Sequence, residues 1–242
     1  MPGPIGTDSN SPTPDKGTLQ VARNPAPVPL GSAPSTAKEV LNLTKEEKLL
    51  AAVIYGEGST ANMFEEMAGI AAVLIRQAKA RGQAVAGFLG SEEAKTFSFV
   101  LKDGNPRYNA LIKASEVDIA ADAGMKAAVK SARHAMSDKQ DYSGGGFFWD
   151  GLDLKTNYTK HPKVLKGIRF TKKEQDIYSV GDHKISEVIK YWMKLDKEGK
   201  QIQGSERGRY DCTYESTATY GGTVFWCYTP EFLKATGNKE YK

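Results

Sequence analysis

Thiols and imidazoles are scarce: the 242 residues contain two cysteines, Cys212 and Cys227, and three histidines. A lone pair of thiols is no disulfide framework, and no CxxC spacing builds a zinc knuckle. Three readings of the pair stay open: reduced core thiols, a disulfide closing a short loop, or a catalytic thiol. His134, His161 and His183 are scattered, with no HExxH and no pair at zinc-binding spacing, so neither a metal nor another cofactor is expected. No stretch approaches the roughly 18–20 consecutive apolar residues of a membrane helix. Residues 1–39 also lack the apolar run of about 7–15 residues that marks a secretory signal. Membrane insertion and signal-directed export are therefore not expected. Charge of one sign is missing too. The 33 basic and 29 acidic side chains leave +4, too small and too dispersed an excess for a nucleic-acid partner. No lysine and hydroxyl follow the glycines in P-loop spacing.

What remains is a chain with 40% hydrophobic residues, enough for one sizeable core. Eight of the eleven prolines fall in residues 1–39, interleaved with Gly, Ser and Thr, a composition that cannot offset its ordering entropy. That segment reads as a flexible leader. Order is predicted to begin at Thr44-Lys45-Glu46-Glu47, a capping box, followed by Leu50, Val53 and Ile54 at the spacing of a buried helical face. A second helix is predicted from Asn62, with Glu65 at the capping position, to Arg81-Gly82, and a third from about Ala123 to Ser137. Thr96 to Val100 reads as a short extended segment or turn. Gly144-Gly145-Gly146 followed by Phe147-Phe148-Trp149 suits a tight loop entering a strand. Residues 168–170 and 177–180 are further strand candidates, and Lys184 to about Lys197 reads as an amphipathic helix. Gly221-Gly222 inside Tyr210–Tyr228 signals a hairpin, whose two-residue turn would pair Cys227 with Ser216. The fold class is α+β.

One residue breaks the pattern. The apolar stripe of the first helix continues from Leu50 onto Glu57, and glutamate is rarely buried without a partner. If the helix frayed at Gly56, Glu57 would simply face water. If the helix holds, burial and the negative end of the helix dipole both favour the protonated carboxyl. A carboxylic acid kept protonated near neutral pH is what a poorly basic leaving oxygen needs in glycoside cleavage.

The segment Leu49 to Gly58, followed by Met67-Ala68-Gly69-Ile70-Ala71-Ala72-Val73-Leu74-Ile75-Arg76, then Phe97-Ser98 and Gly144 to Phe148, resembles in order and spacing the bacterial cell-wall hydrolases of the spore-cortex-lytic (SleB and CwlJ) type. The likeness spans roughly residues 46–180. Gly56 and Gly58 stand where that family has alanine, and Thr96 where it has glutamine. The resemblance implies a lysozyme-like fold, a catalytic domain over residues 40–180, and Glu57 as the acid that cleaves peptidoglycan glycan strands. Residues 181–242 fall outside it and are expected as a helix and hairpin packed on the same domain. Substrate-binding candidates are Tyr55, Phe97, Ser98, Tyr142, Gly145, Trp149 and Asp150. Aromatic faces would stack on sugars, and the Gly145 region would offer backbone N–H groups to an N-acetyl carbonyl.

A lytic transglycosylase needs a single acid/base, with the muramic C6 hydroxyl as internal nucleophile. Ordinary hydrolysis wants two carboxyls roughly 5–5.5 or 6.5–9.5 Å apart, for which Asp150 is the candidate partner. The other readings are a cysteine peptidase or amidase on the stem peptides, through Cys212 or Cys227, and a non-catalytic wall-binding module. A wall enzyme without an export signal would act in the periplasm after delivery by a secretion system or a phage, and an antibacterial effector of that kind would need an immunity protein as partner.

Overall fold

The capping box at Thr44 opens the first helix as expected: the Thr44 hydroxyl accepts the Glu47 amide and the Glu47 carboxylate accepts the Thr44 amide. A computed structural model describes the chain from this region onward, over residues 41–96, 98–137 and 139–242. The leader over 1–39 and Phe97 lie outside the described residues.

Helix α1 (Lys45–Glu57) buries Leu50, Ala51, Ala52, Val53 and Ile54. It packs against α2 (Phe64–Ala80) and α8 (Ala123–Met136). Between α2 and α8 run five short helices: α3 (Val85–Leu89), α4 (Glu92–Lys95), α5 (Phe99–Asp103), α6 (Pro106–Lys113) and α7 (Glu116–Ala121). Helix α2 starts two residues later than predicted, because Asn62 adopts a positive φ and its side-chain oxygen accepts the Arg107 guanidinium. In the segment read as extended or a turn, Thr96 lies in a turn and the last two residues, Phe99 and Val100, are helical. Ser98 accepts the Leu101 amide and caps α5, so the serine starts a helix there.

A four-stranded sheet follows, in the order β1 (Phe148–Asp150), β6 (Thr223–Tyr228), β5 (Tyr214–Tyr220), β2 (Ile168–Arg169). The β2–β5 pair is parallel and the others are antiparallel. The glycine loop does run into a strand, and the 221–222 turn does join a hairpin. Its register differs from simple counting: an irregularity at Thr217 sets Ser216 opposite Trp226 and Cys227 opposite Glu215. Residues 177–180 form a turn, not a strand. The amphipathic helix expected from Lys184 is instead β3 (Val188–Leu195), paired with β4 (Gln201–Tyr210) as a separate two-stranded ribbon. The β-branched and aromatic run Val188-Ile189-Lys190-Tyr191-Trp192 favours a strand once a partner supplies the ladder. Among the described residues no helix is long and apolar enough to cross a membrane.

The helical layer and the sheet meet at Phe225, a β6 side chain buried in the helical core. It lies so close to α2 that a Cβ at Gly69 would stand 2.5 Å from its ring. Gly69→Ala tests that contact. Alanine gains about 0.5–1 kcal/mol in a helix interior, but overpacking against a rigid ring costs about 1–3 kcal/mol. The variant should be destabilised by about 1–2 kcal/mol, read from the urea midpoint at unchanged m-value.

Candidate active site

Glu57 is the last residue of α1, and the chain around it is pinned from outside. Asn105 Nδ2 donates to the Gly56 carbonyl at 2.8 Å and Arg107 Nη1 to the Gly58 carbonyl at 3.0 Å, occupying carbonyls a helix end leaves unpaired. At Gly56 the absence of a side chain is required by packing: a Cβ there would stand 2.9 Å from Val100 Cγ1. The close approach of α5 follows, and α5 supplies the partners of the carboxyl. Ser98 Oγ donates to Glu57 Oε1, and the Val100 amide donates to the same oxygen at 3.2 Å. Ser98 is itself buried, and its single hydroxyl both caps α5 and holds the acid. Burial pushes the Glu57 pKa up; hydrogen bonds from Ser98, Val100 and the Trp149 side chain pull it back only in part, and the Asp153 charge raises it further.

The facing wall is set by the far half of α2. Arg76 Nη1 reaches Ser143 Oγ at 3.0 Å and also the Gly146 carbonyl, and its Nη2 pairs with Asp141. Gln77 Nε2 donates to the Phe147 carbonyl at 2.7 Å. These bonds fix the glycine loop and deliver β1 beside β6, with Trp149 opposite Phe225 and Asp150 opposite Val224. Between this wall and the end of α1 lies a groove of about 560 Å³ lined by Glu57, Phe99, Trp149, Asp150, Asp153, His161 and Lys163, among others. Phe99, in that lining, is 75% exposed.

Away from Glu57 the groove carries a charge network. His161 is buried, with Nε2 3.4 Å from both Asp150 Oδ1 and Asp153 Oδ2. Lys163 Nζ stands 2.8 Å from Asp150 Oδ1. Asp153, the first residue of α9 (Asp153–Thr156), also accepts the Gly151 amide at 3.1 Å. Burial works against charge on the His161 ring, but the two carboxylates outweigh it and take its pKa to about 9. His161 in turn holds Asp153 below the usual carboxylate range, against the effect of burial. One donor atom from each of Asp150, Asp153 and His161 lies within 4.8 Å of the others, the spacing of a small cation site. The Lys163 ammonium already serves Asp150, however, and the two carboxylates hold a proton on Nε2, the nitrogen a cation would need. The residues fit a proton-linked network better than a metal centre.

Of the residues expected at the site, Glu57, Trp149 and Asp150 line the groove, and Ser98 reaches it through Glu57. Tyr55 does not line it; it packs against the helical core beneath the Arg107 guanidinium, 4.1 Å from its ring. Tyr142 sits among the rings of Phe64, His134 and Tyr220, so its faces are occupied. The Gly145 amide donates to Asp141 at 2.9 Å and is not offered to a ligand. Asp153, His161, Lys163 and Phe99 were not assigned to the site from sequence. The first three show no motif spacing, being joined only by the turns after β1. Glu66, in the first turn of α2, is buried and accepts from Ser59, Gly222 and Thr223. Both cysteines are free. Burial, then neighbouring carboxylates, push Cys212 up to about 11 and Cys227 up to about 12, which suppresses the thiolate a nucleophile needs.

Compared with known proteins, the chain matches no family model, no curated protein sequence and no solved structure.

Ser98→Ala separates the two jobs of one hydroxyl. Loss of the cap should cost about 1 kcal/mol in urea denaturation. Loss of the bond to the charged carboxyl should move the Glu57 titration further upward, followed by carboxyl ¹³C NMR. An unmoved titration would show that Ser98 does not hold the acid.

Proposed function

We propose that this chain is a peptidoglycan-cleaving enzyme that cuts the glycan strand with Glu57 as general acid. The observation that carries the reading is a buried carboxyl, its pKa pushed up by that burial, that lines a groove together with Trp149 and Phe99. Glycoside cleavage needs that proton on the leaving oxygen in the transition state, and a buried acid supplies it without a strongly acidic medium. Flat aromatic faces beside the acid suit the apolar faces of sugar rings. The arrangement of a helical core, a small sheet and an acid at a helix end suits a lysozyme-like architecture, and the ordered resemblance to cell-wall hydrolases adds the substrate class.

After proton donation the chemistry divides. With the muramic C6 hydroxyl as nucleophile, the Glu57 carboxylate takes back a proton and the product is an anhydro end, as in a lytic transglycosylase. With water as nucleophile the product is a hydrated reducing end, as in a muramidase. The substrate places the work in the periplasm or wall, and delivery there by a secretion system or phage, with an immunity protein as partner, belongs to the same proposal. The raised thiol pKa values and the absence of any histidine side chain bonded to either sulfur, among the described residues, weigh against a cysteine amidase.

Digestion of purified sacculi with mass analysis of released muropeptides tests the proposal. Glu57→Gln should lose about 10²–10⁴ in rate. Full activity in that variant would remove Glu57, and retention on sacculi with no fragments released by the wild type would mark a binding module instead. The pH profile follows from the sign of the shift. The acid works protonated, so activity should fall as pH rises through the Glu57 value, and this alkaline limb should lie above the ordinary glutamate range.

A further inference from the structure

We infer that Asp153 is the second carboxylate of the reaction, acting as the base that activates water, so that the glycan is hydrolysed. The inference rests on the glycan-cleaving reading and decides between its two branches.

Asp153 and Glu57 line the same groove but are held in opposite ways. Glu57 is inserted among Ser98, Val100 and Trp149 at the end of α1. Asp153 is 53% exposed at its side chain, open to solvent and to whatever fills the groove. Its orientation is nevertheless fixed: Oδ1 accepts the Gly151 amide at 3.1 Å and Oδ2 faces His161 Nε2 at 3.4 Å. Asp150, 9% exposed, meets the same Nε2 at 3.4 Å through Oδ1, the oxygen that also pairs with Lys163 at 2.8 Å. The other oxygen, Oδ2, is buried without a hydrogen-bond partner among the described residues. An unpaired buried carboxylate oxygen is costly to keep. It is retained beside a buried histidine whose Nε2 faces both carboxylates, so the Asp150–His161–Lys163 cluster holds the Asp153 carboxylate in one orientation. A transglycosylase, whose one acid/base does both proton transfers, has no use for such a device.

The environments of the two carboxyls also diverge in the direction the roles require. Burial favours the proton on Glu57, and His161 favours the charge on Asp153.

The step balances with water as the only co-reactant. Asp153 takes a proton from water as the water oxygen bonds to the anomeric carbon. The glycosidic C–O bond breaks, its electron pair goes to the leaving oxygen, and Glu57 supplies that oxygen with a proton. Exchange with solvent restores both carboxyls. In these terms Asp153 is a catalytic residue, while His161, Asp150 and Lys163 are positioning residues.

Digestion of sacculi in H₂¹⁸O tests this with the wild-type chain. Hydrolysis should place one ¹⁸O at each new reducing end, and the Asp153→Asn variant should lose at least 100-fold in rate with KM little changed, while its Tm stays close to that of the wild type. Anhydro ends without label would overturn the inference and leave Glu57 as the acid. Labelled ends with a wild-type rate in Asp153→Asn would remove Asp153 from the role. A wild-type chain that releases no fragments would end the glycan reading itself, a result distinct from both.

Discussion

The burial of one carboxyl at the end of α1 is the constraint on which the site depends. A glutamate in that position must be either solvated or enclosed, and here it is enclosed by α5. The enclosure needs three things at once: a residue without a side chain at Gly56, a buried hydroxyl at Ser98, and carbonyls of the helix end satisfied by Asn105 and Arg107. Each comes from a different stretch of chain. The short helices between α2 and α8, which contribute little apolar area individually, exist in this reading to bring those partners to Glu57.

The enclosure has a thermodynamic consequence. A carboxyl whose pKa is higher in the folded state than in the unfolded one holds its proton longer when folded, so folding loses stability as pH rises through the folded value. Asp141 acts with the opposite sign. Asp141, held low by Ser143, Arg76 and Gly145 despite burial, adds stability above its unfolded value and loses it as pH falls. Glu57 is thus a group that the structure holds against its own stability, the pattern expected where function overrides folding.

Much of the helical layer was legible. The capping box, the stripe of α1, the interruption of that stripe by Glu57, and the spans of α8 and the terminal hairpin all follow from local chemistry. What could not be read shares one cause: it depends on partners distant in the chain. Residues 184–197 carry a helical period, yet β4 supplies a ladder and the strand wins. Ser98 reads as part of a short extended segment or turn until the hydroxyl is seen to face Leu101 and Glu57. Tyr142 and Gly145 were plausible ligand contacts by type, and their capacity is spent inside the fold. Conversely Asp153, His161 and Lys163 have no motif in sequence because the turns following β1 assemble them.

Glu66 shows how the two layers are kept in register around the groove. It sits in the first turn of α2, and its carboxylate accepts from the Ser59 amide and hydroxyl just beyond α1, and from the Gly222 amide and Thr223 hydroxyl at the hairpin tip. The tip can approach that closely because Gly221 has no side chain and a positive φ; a Cβ there would stand 2.6 Å from the carboxylate. Thr223 itself lines the groove. One buried acid therefore joins the exit of the helix that carries Glu57, the helix that grips the glycine loop, and the hairpin whose β6 carries β1 with Trp149 and Asp150. A second buried carboxylate, bonded to both layers, thus ties together the walls on either side of the first.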